Sequence, residues 1–317
     1  MIRTVLVLML APASAGAFSM EWPIDCTLEE TCHIQQYMDR DPSTTFADFT
    51  CGPLSYDTHR GTDIALSSLA AMRKGVMVRA AASGVVKGLR DGMEDISIRA
   101  TNAPKIEGRE CGNGLVIDHG DGWETQYCHM AKGSLRHSVG AKITAGEGLG
   151  LVGLSGNTEF PHLHVSVRHN GIEIDPFDPD GAAKCGEGPE APLWSDPIPY
   201  QPGGLIAIGL SDAVPSWEAI KESLPIPTPD RNAPALVLWV HYFGNHAGDT
   251  LRLTLTGPSG RTLFTEDVIL ERTQAQGFRA VGRKQRQAIP AGDYSISAVL
   301  LRGGIEIDQR ATSVPRR

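Results

Sequence analysis

Phe160-Pro161-His162-Leu163-His164-Val165-Ser166-Val167 sets two imidazoles two residues apart, in a run whose β-branched residues favour an extended strand. Side chains alternate along a strand, so both histidines point to the same face. Aligned neutral imidazoles suit a zinc site, which in its catalytic form takes three protein ligands and leaves the fourth position to water. Further ligands must then come from elsewhere in the chain. His59-Arg60-Gly61-Thr62-Asp63 offers a histidine and a carboxylate, and Tyr127-Cys128-His129 offers another imidazole. An isolated His-x-His is more often a half-solvated surface pair, but three histidine-bearing segments in one chain weigh against that.

Taken in order, His59-Arg60-Gly61-Thr62-Asp63, Gln126-Tyr127-Cys128-His129 and the run from Gly153 to His164 resemble the motifs of the lysostaphin/LytM family of zinc metallopeptidases, which cut peptide cross-links in bacterial peptidoglycan. Val85-Val86, Gly114 to Gly120 and Val139 through Gly153 also match the family's strand and glycine-turn pattern. The resemblance runs from Cys51 to Pro179 and leaves out the C-terminal third. It implies an antiparallel β-sheet domain with one zinc per chain. His59, Asp63 and His164 are the ligands it implies, and His129 and His162 the proton-transfer groups, which leaves open which of the two is the base. The tyrosine that some members carry upstream of the first motif has only Tyr56 as a counterpart.

Without the resemblance, His59 and Asp63 have helical spacing, yet Gly61, Thr62 and the following Ile64-Ala65 favour a loop entering a strand. Their convergence on one metal rests on the family. Taken singly, His129 reads as a hairpin residue beside Cys128, and His162 as the exposed partner of His164. His33, His119, His137, His241 and His246 are read as structural or exposed.

Arg3, the apolar run Thr4 to Ala11 and the small residues Ala15-Gly16-Ala17 fit a secretory leader cut after Ala17, with an apolar run too short to span a bilayer. No later segment is long and apolar enough to serve as a membrane helix. Periplasmic or secreted placement follows, periplasm being preferred. A formal net charge of −8 argues against nucleic acid, whose phosphates call for clustered Lys and Arg. Six cysteines in an exported chain read as disulfides, and fifteen pairings are formally open. Cys111 and Cys128 flank a hairpin whose turn is read as His119 to Gly122, Cys26 and Cys32 are close enough to pin the N-terminus, and Cys51 and Cys185 are then left to join the ends of the catalytic region.

The expected fold class is mainly β: an antiparallel LytM-like metallopeptidase domain followed by a smaller immunoglobulin-like β-sandwich. The expected division is a signal peptide at 1–17, an N-terminal arm laid over the catalytic domain at 18–50, the peptidase domain at 51–185, a proline-rich linker at 186–203 and the sandwich at 204–317. Seven short apolar runs between Leu205 and Asp308, separated by Gly, Pro and Asn turns, carry the last assignment. The expected function is a zinc endopeptidase acting on peptidoglycan peptides. Two alternatives belong to other classes: a catalytically silent LytM-like regulator of another cell-wall hydrolase, and an adhesion or scaffold protein whose C-terminal domain binds a protein partner.

Overall fold

The computed structural model describes residues 18–103, 105–186 and 191–316; the leader read at 1–17 lies outside them, as does Pro189. The first half supplies β1 (Cys32–Gln36), β2 (Thr62–Leu66), α1 (Leu69–Lys74), β3 (Met77–Arg79), β4 (Gly84–Arg90), β5 (Asn113–Gly120), β6 (Trp123–Met130), β7 (Lys142–Ile143), β8 (Gly148–Leu151), β9 (His162–His169) and β10 (Ile172–Ile174). An antiparallel sheet runs in the order β1-β2-β9-β6-β5-β4-β7, with β10 on β9, while β3 and β8 form a separate pair.

Alternation along β9 fixes its two faces. Leu163, Val165 and Val167 are wholly buried in a core with Ile34, Ile64, Ile117 and Tyr127, and this leaves His162 and His164 on the opposite face. The β5–β6 hairpin turns on Asp121 and Gly122 alone, both at positive φ (49° and 82°). That is the type I′ signature, so Gly120 pairs with Trp123 and His119 stays in β5 as a bulged residue, where the sequence suggested a four-residue turn.

The N-terminal segment does more than lie over the domain. Its β1 pairs with β2 as an edge strand, and Met20 and Ile24 enter the core. The proline-rich segment is likewise anchored, with Leu193 and Trp194 in that core and Gln201 Oε1 accepting from the Ile34 N–H.

The second half comprises β11 (Gly204–Ser211), α2 (Trp217–Glu222), β12 (Ala235–Asn245), β13 (Thr250–Thr256), β14 (Thr262–Ile269), β15 (Gln274–Lys284), β16 (Gly292–Arg302) and β17 (Ile305–Arg316). These strands form two antiparallel sheets, β11-β12-β15 and β14-β13-β16-β17. Inward residues of both sheets, among them Leu238, Val240, Leu253 and Ile296, share one core. The two halves touch where His33 packs on Phe243, with ring centroids 4.1 Å apart, and where Gln276 bonds Gln35. That contact buries His33 and His241, at 4% and 1% exposure, so neither is a surface residue.

The disulfides are Cys26–Cys32, Cys51–Cys185 and Cys111–Cys128. Cys111–Cys128 is the pair expected across the hairpin, Cys26–Cys32 the pair close in sequence, and Cys51–Cys185 the pair left once those two are assigned.

Candidate metal centre and catalytic groove

Asp63 lies in β2 directly across from His164 in β9. Strand pairing therefore brings together residues 101 positions apart in the chain. Asp63 Oδ1 is 2.7 Å from His164 Nδ1, 3.2 Å from His59 Nε2 and 3.5 Å from His162 Nε2. His59 precedes the strand, and Gly61 lets it approach. A Cβ at Gly61 would sit 2.5 Å from the Val165 carbonyl and 2.7 Å from His164 Nε2, so only hydrogen fits there.

His129 reaches the cluster by a different device. Between the pairs Asn113–Met130 and Leu115–Tyr127, β5 contributes Gly114 alone while β6 contributes both Cys128 and His129. Two residues against one make a β-bulge, which redirects a side chain. His129 takes φ +61°, and its ring comes to lie 4.6 Å from that of His162 and 6.0 Å from that of His164. Regular alternation would have sent His129 to the other face from Cys128.

Backbone carbonyls orient the rings. A carbonyl only accepts, so Nδ1 carries the proton where it faces the Tyr37 carbonyl (His59, 2.6 Å), the Ser155 carbonyl (His129, 2.8 Å) and the Phe160 carbonyl (His162, 2.9 Å). Each Nε2 is left as a lone pair. His164 instead presents Nδ1 to Asp63 and has Nε2 within 2.9 Å of the Ser166 hydroxyl.

Charge follows from this arrangement. Burial opposes ionisation of Asp63, but His59 and His162 outweigh it and hold the carboxyl well below its ordinary range. Burial together with His162 and His164 pushes His129 far down, so it is neutral. Burial also disfavours the charge on His59 and His162; Asp63 outweighs it and raises both. Tyr56 stacks on His59 at 4.4 Å and lines the groove.

The donor set fits a divalent cation. His59, Asp63 and His164 each turn one ligand atom toward a common point, all three within 4.8 Å of one another. Ligand atoms on a tetrahedral zinc stand roughly 3.4 Å apart. Here two acceptors, His59 Nε2 and Asp63 Oδ1, face each other at 3.2 Å, which is repulsive unless a cation or a proton lies between them.

The family model described as peptidase family M23 matches residues 57–176, the segment that holds all five of these side chains. Residues 57–176 are a peptidase family M23 domain. Over 120 residues the chain is 32% identical to the DD-carboxypeptidase/endopeptidase Mpg of Neisseria meningitidis, covering 37% of this chain and 22% of that protein. It is 34% identical over 64 residues to the peptidoglycan DD-endopeptidase ShyA of Vibrio cholerae, 20% of this chain and 14% of ShyA. The chain thus spans about a fifth or less of these relatives' length. Among solved structures, the catalytic domain of the prophage-encoded M23 protein EnpA from Enterococcus faecalis is 22% identical over 51% of this chain and 96% of that one, with a TM-score of 0.33.

Within the M23 domain the structure brings His59, Asp63, His129, His162 and His164 together, while His119 and His137 lie apart on the Ser83 and Gly148 carbonyls. Nothing in the sequence marks the orienting groups, since every residue carries a backbone carbonyl and those of Tyr37, Ser155 and Phe160 are not distinguished by residue type. Ser166 alone had a legible signal, two residues beyond His164 on the same strand face.

Proposed function

We propose that the M23 domain is a zinc-dependent endopeptidase that cuts peptide cross-links of peptidoglycan, held by an exported, periplasmic chain. The observation that carries this reading is the convergence of His59, Asp63 and His164 through Asp63 Oδ1, with His129 and His162 beside them. His59, Asp63 and His164 would hold the metal. Zinc at that position supplies a Lewis acid that polarises the scissile carbonyl and acidifies water. The chain's own part is proton handling and orientation. His129 and His162 are each anchored through Nδ1–H on a carbonyl, which leaves the Nε2 of each, that of His162 facing Asp63, to take a proton and return it to the leaving amine. The relatives named as endopeptidases support the reaction class.

The test is incubation of zinc-loaded protein lacking residues 1–17 with purified sacculi, followed by mass spectrometry of the released fragments. New free amines at cross-link positions, absent when His164→Ala replaces the wild type, are expected. Unchanged cross-linking in fully zinc-loaded protein overturns the reading and favours the silent regulator.

A further inference from the structure

On β9, His164, Ser166 and Arg168 share one face, and the groove of about 240 Å³ that opens on His164 and His129 continues to Arg168. Arg168 is half-buried and commits both terminal nitrogens to one neutral acceptor, Gln126 Oε1. Gln126 is fixed in that orientation because its amide nitrogen donates to Cys111 Sγ. The carboxylates nearest Arg168 in the ladder are engaged elsewhere. Glu124, opposite it on β6, holds Lys87, and Glu173, opposite it on β10, faces Arg60 at 3.8 Å. Glu110 also lines the groove, but among the described residues no carboxylate pairs with Arg168.

A partly desolvated guanidinium with only a neutral acceptor is under-satisfied, and its planar fork matches a carboxylate. Its placement along the groove can be estimated. Gln126 stands opposite Ser166, one step nearer the metal cluster than Arg168 itself, so the guanidinium leans back toward His164. From His164 to Ser166 the strand advances roughly 7 Å, about two residues of an extended peptide.

We propose that Arg168 is the carboxylate-recognising residue of the groove. The peptides taken would carry a free carboxylate within about two residues of the scissile amide, as a cross-link through a diamino acid does and a glycine bridge does not. This deepens the peptidase reading and rests on it for the term scissile, although the recognition itself is a binding property.

The experiment uses two synthetic cross-linked peptides that differ only in carrying a carboxylate or a carboxamide at that position. Binding to zinc-free protein is measured by calorimetry, and kcat/KM on zinc-loaded protein. Wild type is expected to favour the carboxylate about 10- to 100-fold in both measurements, the worth of a charge-assisted bidentate pair. Arg168→Gln should lose that preference while handling the carboxamide peptide as wild type does, and Arg168→Lys should restore part of it. Equal affinity for both peptides in wild type, no measurable binding of either, or a preference retained by Arg168→Gln overturns the proposal. Preferential binding without cleavage sinks the peptidase reading and leaves the role of Arg168 standing, whereas cleavage without preference does the reverse.

Discussion

The backbone carbonyl of Cys111 accepts the N–H of His129 at 2.8 Å, so the disulfide partner of Cys128 also holds the residue next to Cys128. One covalent link thus fastens the bulge that turns His129 toward Asp63 and His164. The groove floor is built from this hairpin on one side and from β2 and β9 on the other, and the proposed chemistry depends on the two remaining in register.

Gly61 is where that register is tightest. A methyl group there meets the Val165 carbonyl, which is backbone and cannot rotate away, and also the His164 ring. Gly61→Ala should therefore cost about 1–3 kcal/mol as an overpacked site and weaken zinc retention as well. Urea unfolding and elemental analysis check the two effects. Wild-type metal content in a variant of wild-type stability would show that the close approach is not needed.

His129 and His162 should separate metal content from rate. Neither belongs to the proposed ligand set, and each is proposed as a proton-transfer group, its ring anchored on a carbonyl. His129→Ala and His162→Ala are expected to keep near-stoichiometric zinc while kcat drops about 10²- to 10⁴-fold. Loss of zinc in either variant would move that histidine into the ligand set. Wild-type kcat would remove it from the chemistry.

Acid stability has an origin outside the groove. His33 is pushed down to about 3, by burial first and then by His241 and Arg310, and His241 is pushed down to about 4 by burial. Both folded pKa values lie below the unfolded value near 6.5, so the unfolded chain binds more protons once pH drops below that value. Their stabilising effect is complete above pH 6.5 and is lost progressively down to about pH 4 and 3. Two such groups steepen the dependence by up to about 2.7 kcal/mol per pH unit. His241→Gln should remove about half of that slope in urea unfolding between pH 7 and 5. An unchanged slope would mean that His241 does not stay neutral in the folded protein.

Much of this arrangement was legible in the sequence, and the rest was not for identifiable reasons. The strand alternation around His162 and His164 placed both on one face, and the glycine-bounded apolar runs gave the seven strands of the second half. Fold class and residue types were thus open to reading. The burial of His33 and His241 was not, because it arises where β1 and β12 meet, and no local pattern encodes a contact between segments some 200 residues apart. The turn of His129 was equally hidden. It depends on a bulge whose only local trace is Gly114, where a Cβ would clash with the Tyr127 carbonyl.

That bulge gives the disulfide its predicted consequence. Cys111 and Cys128 are 17 positions apart, and closing a loop of this size is worth about 3 kcal/mol by the chain-entropy estimate. The rest of the M23 domain keeps its core, and the Cys51–Cys185 link that joins the segments flanking it stays closed, so reduction of this one bond should loosen the hairpin end before the fold is lost. His129 loses its neighbour's covalent restraint and keeps only hydrogen bonds, its ring on the Ser155 carbonyl and its backbone on Cys111 and Gly153. A small displacement of a proton-transfer group costs on the order of 10²-fold in rate. The paired substitution Cys111→Ser with Cys128→Ser is therefore expected to retain zinc and a cooperative melt at lower temperature, with kcat down by about that factor and KM little changed. Full kcat in the double variant would show that the hairpin holds His129 without the disulfide. A loss of zinc in step with activity would place the damage at the ligands instead.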